Sequence, residues 1–304
     1  MIKLSDMVFE LDTELKINDF GKDISFSRFI PMVYDSISFD WKEEFEKKFV
    51  ELFNGLMIEG GSEISKVFLA VFPTDKVLER FIEEGNTGDL LFMHHPLLME
   101  CGDPKGLWGQ GFVPIKERYI EQIKEKKLSV YTCHIPLDLH KTLGTNVAIA
   151  NALHADILLE NDSKTKSEYI SYCNIKPTNT ADLIAKLRVT FDIPYADFEG
   201  EVVEEIQKIA IVAGCGDVVD WMKEAEENGA QAYITGEVHC HIDNVYGKKK
   251  YAEMMEYART SKMSLIGVSH AASEFLVHKT LMKDWFEKNF DVETVLIPQE
   301  KWWL

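Results

Sequence analysis

Three apolar, strand-like stretches of this chain run into side chains able to hold a metal ion. Residues 89–93 lead into His94-His95-Pro96, residues 128–133 into His134-Ile-Pro-Leu-Asp138, and residues 264–269 into His270-Ala-Ala-Ser-Glu274. The donors are imidazole nitrogens and carboxylate oxygens with no thiolate, a set suited to zinc, manganese or iron rather than calcium. Ligands of α/β proteins sit beyond the carboxyl ends of strands, so three such ends can meet although they are far apart in sequence. The chemistry to expect is metal-dependent hydrolysis.

His94 and His95 are adjacent, and on a regular strand they would face opposite sides of the sheet. Pro96 stops the strand and holds His95 in extended geometry, so both rings can project beyond its end. Diverging neighbours suit two metals better than one. For the pair alone, burial against backbone acceptors is an equally good account. His270 and Glu274 lie four apart at the start of a predicted helix over residues 271–287, which places them on one face with His278 a turn further. Alone, such a pair is usually a surface contact, and a lone Asp138 after a proline is more often a cap or turn former. Three strand ends supplying these donors jointly outweigh the bland account of each.

The elements that must carry these ends follow from periodicity and breakers. Residues 42–56 read as an amphipathic helix closed by Asn54-Gly55, residues 67–72 as a buried strand, and Thr74-Asp75 as the cap of a helix to Glu84. With the strand ending at His94 they make a βαβ unit. A helix is expected over residues 111–127, a strand over 128–133, and a helix from Gly144-Thr145 to Leu153. Residues 174–200, with Pro177, Pro194 and a helix from about Thr180, are expected to separate the first strands from a second set at 206–213, 232–235 and 264–268. Strands alternating with helices predict two α/β lobes with mainly parallel sheets. The expected division is residues 1–140, completed by 262–304, and residues 141–261.

In order along the chain, His94-His95-Pro96, His134-Ile-Pro-Leu-Asp138, Thr235-Gly236-Glu237 and His270-x-x-x-Glu274 resemble the four motifs of the Nif-three-like dinuclear-metal proteins, also called GTP cyclohydrolase I type 2 homologues. The likeness spans residues 54–274, and the ordered set is specific although each piece is short. The resemblance implies a Nif-three-like fold of two α/β lobes with the metal site between strand ends. It implies His94, His95, Asp138, His270 and Glu274 as ligands of two divalent ions per chain, and a homohexamer. The chain departs from the family where many members carry Gly-His-His before the final Glu: here Ser269 precedes His270 and Ala271 follows it. The first fifty residues match poorly, and the large inserted domain of longer members is not expected at this length.

Two metals about 3.5–4 Å apart would acidify a bridging water for attack near neutral pH. His134 and Glu237 stand at strand ends and are the candidates to pass a proton to the leaving group; orienting the ligands is the competing role for both. The expected activity is hydrolysis of a nucleotide-like small molecule, with the purine ring opening of a GTP cyclohydrolase as the reaction the family name suggests. A metal-dependent phosphoesterase and a non-catalytic metal-binding scaffold are the alternatives.

Composition bounds the partners. With 33 Lys and Arg against 51 Asp and Glu, the formal charge of the 304-residue chain is −18, which disfavours nucleic acid. The 5 cysteines form no CxxC pair, and neither a signal peptide nor an apolar run of membrane-spanning length is visible, so a cytoplasmic protein with no membrane partner is expected. His239-Cys240-His241 reads as lining a cavity rather than as a metal site of its own. Gly214-Cys215-Gly216-Asp217 reads as a tight strand-to-helix turn, since it lacks the third glycine of a dinucleotide fingerprint. The terminal Lys301-Trp302-Trp303-Leu304 is too short for an anchor and is expected to pack against protein.

Overall fold

From Val67 to Ala70, Leu90 to Met93 and Ser129 to Thr132 every residue is buried, as strands covered on both faces must be. These strands, Lys66–Ala70, Leu90–Met93 and Ser129–Thr132, form the parallel centre of a five-stranded sheet. Glu293–Leu296 joins parallel at one edge and Gly55–Ile58 antiparallel at the other. Thr74 accepts a hydrogen bond from the Val77 amide and starts the helix Asp75–Glu84 between the first two of these strands. Asp89 is fully buried just before Leu90 and accepts from Ser65 Oγ and from the amides of Lys66 and Asn86. That carboxylate locks the register in which Ala70 opposes Met93 and Met93 opposes Thr132, so His94 and Cys133-His134 emerge side by side.

The computed structural model describes residues 2–158 and 167–303; the terminal Leu304 lies outside them. The chain divides into two compact units. One comprises Met1–Met99, Phe112–His140 and His278–Glu300, and the other Glu100–Gly111, Lys141–Val277 and Lys301–Leu304.

Two helices of the first unit differ from the sequence-based expectation. Residues 42–56 are not one helix but two, Trp41–Glu44 and Lys47–Leu52, with Phe45 extended between them. Phe45, Phe49 and Phe53 still pack edge-on into one core across the break. Residues 111–127 hold a helix only over Glu117–Glu125, because Leu98–Asp103 and Leu107–Val113 pair as a hairpin and Pro114 keeps Val113 extended. The N-terminal segment folds as helices Leu4–Glu14, Ile17–Phe20 and Phe26–Tyr34, the last burying Phe26, Ile30, Val33 and Tyr34.

The second unit carries a six-stranded mixed sheet in the order Asp197–Gly200, Ser264–Gly267, Ala232–Thr235, Ile206–Val212, Ser171–Thr178, Asp156–Ile157. Its two central junctions are parallel and its outer three antiparallel. Residues 174–200 therefore do not separate two sets of strands: both ends of the segment are woven into this sheet. Pro177 is tolerated because the ladder to Ile206–Val212 is irregular between Asn174 and Thr178. Because Ser264–Gly267 pairs with Ala232–Thr235, the return to the first unit begins at His278 rather than at residue 262. The helix expected over 271–287 changes character there, running α-helical over His270–Val277, π-helical over His278–Met282 and α-helical again over Lys283–Asn289. No helix among the described residues is long and apolar enough to cross a membrane.

Candidate metal centre

In the first unit, His94 and His95 extend the strand Leu90–Met93, their amides bonding to the carbonyls of Ala70 and Val71 before Pro96 ends the ladder. Nδ1 of His94 lies 2.8 Å from the Cys133 carbonyl. A carbonyl can only accept, so Nδ1 carries the proton and a neutral ring presents its lone pair at Nε2. That atom faces Asp138 Oδ1 at 3.2 Å. Asp138 closes the short helix Ile135–Asp138, whose first turn holds Pro136. His95 is clamped between the rings of Phe26 and Phe72, with ring centroids at 5.3 and 4.7 Å.

His134 joins these two rings: His94, His95 and His134 each offer a nitrogen, all within 4.8 Å of one another. Its amide bonds to Asn54 Oδ1, so the buried Asn54 positions a site residue as well as ending a helix. Its Nδ1 lies 2.8 Å from Oδ2 of Asp23. Burial alone would raise the Asp23 carboxyl, but His134 and the amides of Phe26 and Ser25 hold it below its ordinary value. The Asp23 carboxylate fixes the His134 tautomer and leaves Nε2 to accept.

The second unit repeats the device with carboxylates on both sides of one ring. His270 Nδ1 lies 2.6 Å from Glu237 Oε1 and Nε2 lies 2.9 Å from Glu274 Oε1, with all three residues buried. Burial opposes a charge on this imidazole, yet Glu274 outweighs it and the ring's affinity for a proton is well above the ordinary. The carboxylates that favour a proton on this ring would favour a metal cation at Nε2 as well, the two competing for one lone pair. Glu237 is placed to orient the His270 ring through Nδ1. Cys101 Sγ donates to Glu237 Oε1 at 2.7 Å and Cys215 Sγ sits 3.4 Å from the same oxygen. Burial, then Glu237, pushes both thiols up, so neither is a thiolate at neutral pH.

Glycines make room for this cluster. Gly214 has φ +66°, and a Cβ there would fall 2.3 Å from Glu274 Oε1. Gly236 likewise abuts Ser273 Oγ and the His270 backbone. The expected tight turn at Gly214-Cys215-Gly216-Asp217 thus also admits the Glu274 carboxylate to the main chain. The helix Thr145–Leu153 starts from Gly144 without a side-chain cap, and Asn146 donates to the Tyr169 carbonyl and accepts from the Ala213 amide. His278 belongs to the first unit, 5.5 Å in centroid from Phe92.

Each unit therefore gathers its share of the expected residues, His94, His95, His134 and Asp138 in one and Glu237, His270 and Glu274 in the other. Sequence reasoning missed Asp23, Cys101 and Cys215. Only Asp23 left a signal: an acid two and three residues before Ser25 and Phe26, whose amides it caps.

The Duf34/NIF3 (NGG1p interacting factor 3) profile matches residues 51–301. The GTP cyclohydrolase 1 type 2 homolog of Pyrococcus abyssi is 29% identical over 250 residues, covering 80% of this chain and 88% of its own. That of Archaeoglobus fulgidus is 31% identical over 196 residues, 60% of this chain and 69% of its own. The crystal structure of TTHA1606 from Thermus thermophilus has the same α/β fold, with a TM-score of 0.64 at 19% identity over 99% of both chains. By motif order, fold and profile, this chain belongs to the Duf34/NIF3 family.

Proposed function

We propose that this protein is a metal-dependent hydrolase of a nucleotide-like small molecule, with His94, His95, Asp138, His270 and Glu274 holding two divalent ions of zinc, manganese or iron. The observation that carries the reading is one arrangement found in each unit. A buried imidazole commits Nδ1 to an acceptor and turns Nε2 to a carboxylate: His94 toward Asp138, and His270 toward Glu274. When bound, the ions supply Lewis acidity and lower the pKa of water.

The chain's own residues do the rest. Asp23 holds the His134 proton at Nδ1, so His134 Nε2 is the atom that takes or returns a proton at the substrate. Glu237 acts through His270, keeping its ring turned to Glu274. The names of the relatives support purine ring opening, as in a GTP cyclohydrolase, as the reaction to test first. A cytoplasmic homohexamer completes the reading.

Elemental analysis of purified wild type, Asp138→Ala and Glu274→Ala tests the ligand set. About two equivalents per chain held by this ligand set are expected in the wild type, and a clear loss in each variant. Equal content in all three would defeat the assignment. With GTP, formate and a pterin precursor mark ring opening, inorganic phosphate marks a phosphoesterase, and no turnover in the metal-loaded protein marks a scaffold.

A further inference from the structure

Asp197, His239 and His241 form a second constellation within the second unit, sharing no residue with the ligand set above. One ligand atom from each lies within 4.8 Å of the others. Asp197 begins the edge strand Asp197–Gly200, opposite Gly267. His239 and His241 follow the strand Ala232–Thr235 on a loop pinned by a backbone exchange: Gly109 donates to the His241 carbonyl and Asp243 to the Gly109 carbonyl, each at 2.8 Å. Tyr251 packs against both rings and Trp108 against His241, so their orientations are fixed by contact.

Three ring nitrogens here have no hydrogen-bond partner: Nδ1 of His239 and both nitrogens of His241, although each residue is only 6% exposed. Buried polar atoms are nearly always satisfied, and a cluster of orphans in one pocket is the mark of a ligand. Nε2 of His239 approaches Asp197 Oδ2 and Glu199 Oε1 at 3.4 and 3.5 Å, longer than a good hydrogen bond. Asp197, His239 and His241 all line one pocket, which Trp302 and Trp303 also border.

We propose that Asp197, His239 and His241 bind a divalent transition-metal ion, zinc(II) or ferrous iron, at an auxiliary site that opens to this pocket. Two imidazoles and one carboxylate favour such borderline ions over magnesium or calcium, and three protein donors leave coordination positions for a small molecule. Neither ring nitrogen of His241 is bonded to protein, and a neutral imidazole carries one lone pair, so His241 can supply one donor to the ion. Glu199 stands close enough to His239 to add charge or to orient the ring. The His-x-His pattern alone reads as cavity lining because its third donor comes from an edge strand far earlier in the chain.

Cobalt(II) titration of chelator-stripped full-length protein, followed by ligand-field absorption and elemental analysis, tests the site. Wild type should bind about one equivalent of cobalt beyond the two of the main ligand set; His241→Gln and the near-isosteric Asp197→Asn should each lose that additional equivalent, while Glu274→Ala retains it and loses main-site cobalt instead. Melting of the metal-free proteins confirms that the folded state is being compared, and Asp197→Asn carries the test if His241→Gln does not fold. Unchanged stoichiometry and spectrum in the variants overturn the proposal. Failure of the main ligand set would instead show as no loss in Glu274→Ala, so the two readings fail separately.

Discussion

Nδ1 of His134 lies 2.8 Å from Oδ2 of Asp23, a carboxylate whose side chain has no exposed surface. The other oxygen, Oδ1, accepts from the amides of Ser25 and Phe26 at 2.9 and 2.8 Å, so both oxygens are committed. Asp23 precedes the residues matched by the family profile, which start at 51. A segment outside the profile thus sets the tautomer of a ring that stands among the first unit's metal-type donors.

Replacing Asp23 by Asn should slow turnover of the GTP assay about 10–100-fold while leaving metal content unchanged. It should also change the acid limb of stability. Because the folded-state carboxyl is held below its ordinary value, its stabilising contribution is complete above the ordinary range and is lost as pH falls through the folded value. Urea unfolding below about pH 4 should therefore show a steeper loss in the wild type than in Asp23→Asn. Parallel acid limbs would contradict the buried Asp23–His134 pair.

Glu237→Gln separates orienting from ligating. The amide oxygen can still accept from His270 Nδ1 but brings no charge, so metal affinity should weaken about 10–100-fold with full stoichiometry at saturation. Glu274→Ala should lower the stoichiometry itself. If Glu237→Gln also loses stoichiometry, Glu237 is a ligand.

What the sequence made legible was what local pattern encodes. Largely apolar runs marked Leu90–Met93, Ser129–Thr132 and Ser264–Gly267, and the polar residues directly after them are those of the proposed site. Thr74 was readable because capping acts over three residues. Asp23 reaches His134 across 111 positions from a segment without clear periodicity, and Asp197 sits on a four-residue edge strand of half-buried residues with no alternation. Cys101 approaches Glu237 through a hairpin that residues 98–113, broken by four glycines and Pro104, did not announce. Long-range pairing decided these positions, and no short window of sequence contains it.

Ser269 has φ +82°, a left-handed conformation that costs a side chain about 1–3 kcal/mol and that glycine adopts freely. Its Oγ accepts from the Ala272 amide at 3.1 Å, capping the helix His270–Val277, and loss of that cap to glycine costs only a few tenths of a kcal/mol. Ser269→Gly should therefore gain about 1 kcal/mol in chemical denaturation. A net loss would mean that the hydroxyl holds more of the site than the helix end.

Gly214 tests whether room beside Glu274 is what the proposed metal ligands need, because two glycines of this unit share a left-handed φ and differ in surroundings. Gly214 has φ +66° and its Cβ would meet Glu274 Oε1 at 2.3 Å and His270 Nε2 at 3.2 Å; Gly229 has φ +77° and nothing within 4 Å. Alanine at either position carries the same left-handed penalty of about 1–2 kcal/mol. Only Gly214→Ala must also push the Glu274 carboxylate away from His270. Elemental analysis should find Gly229→Ala metal-replete and Gly214→Ala depleted at equal folded fraction. Equal depletion would assign the effect to backbone strain, and equal retention would remove Glu274 from the site.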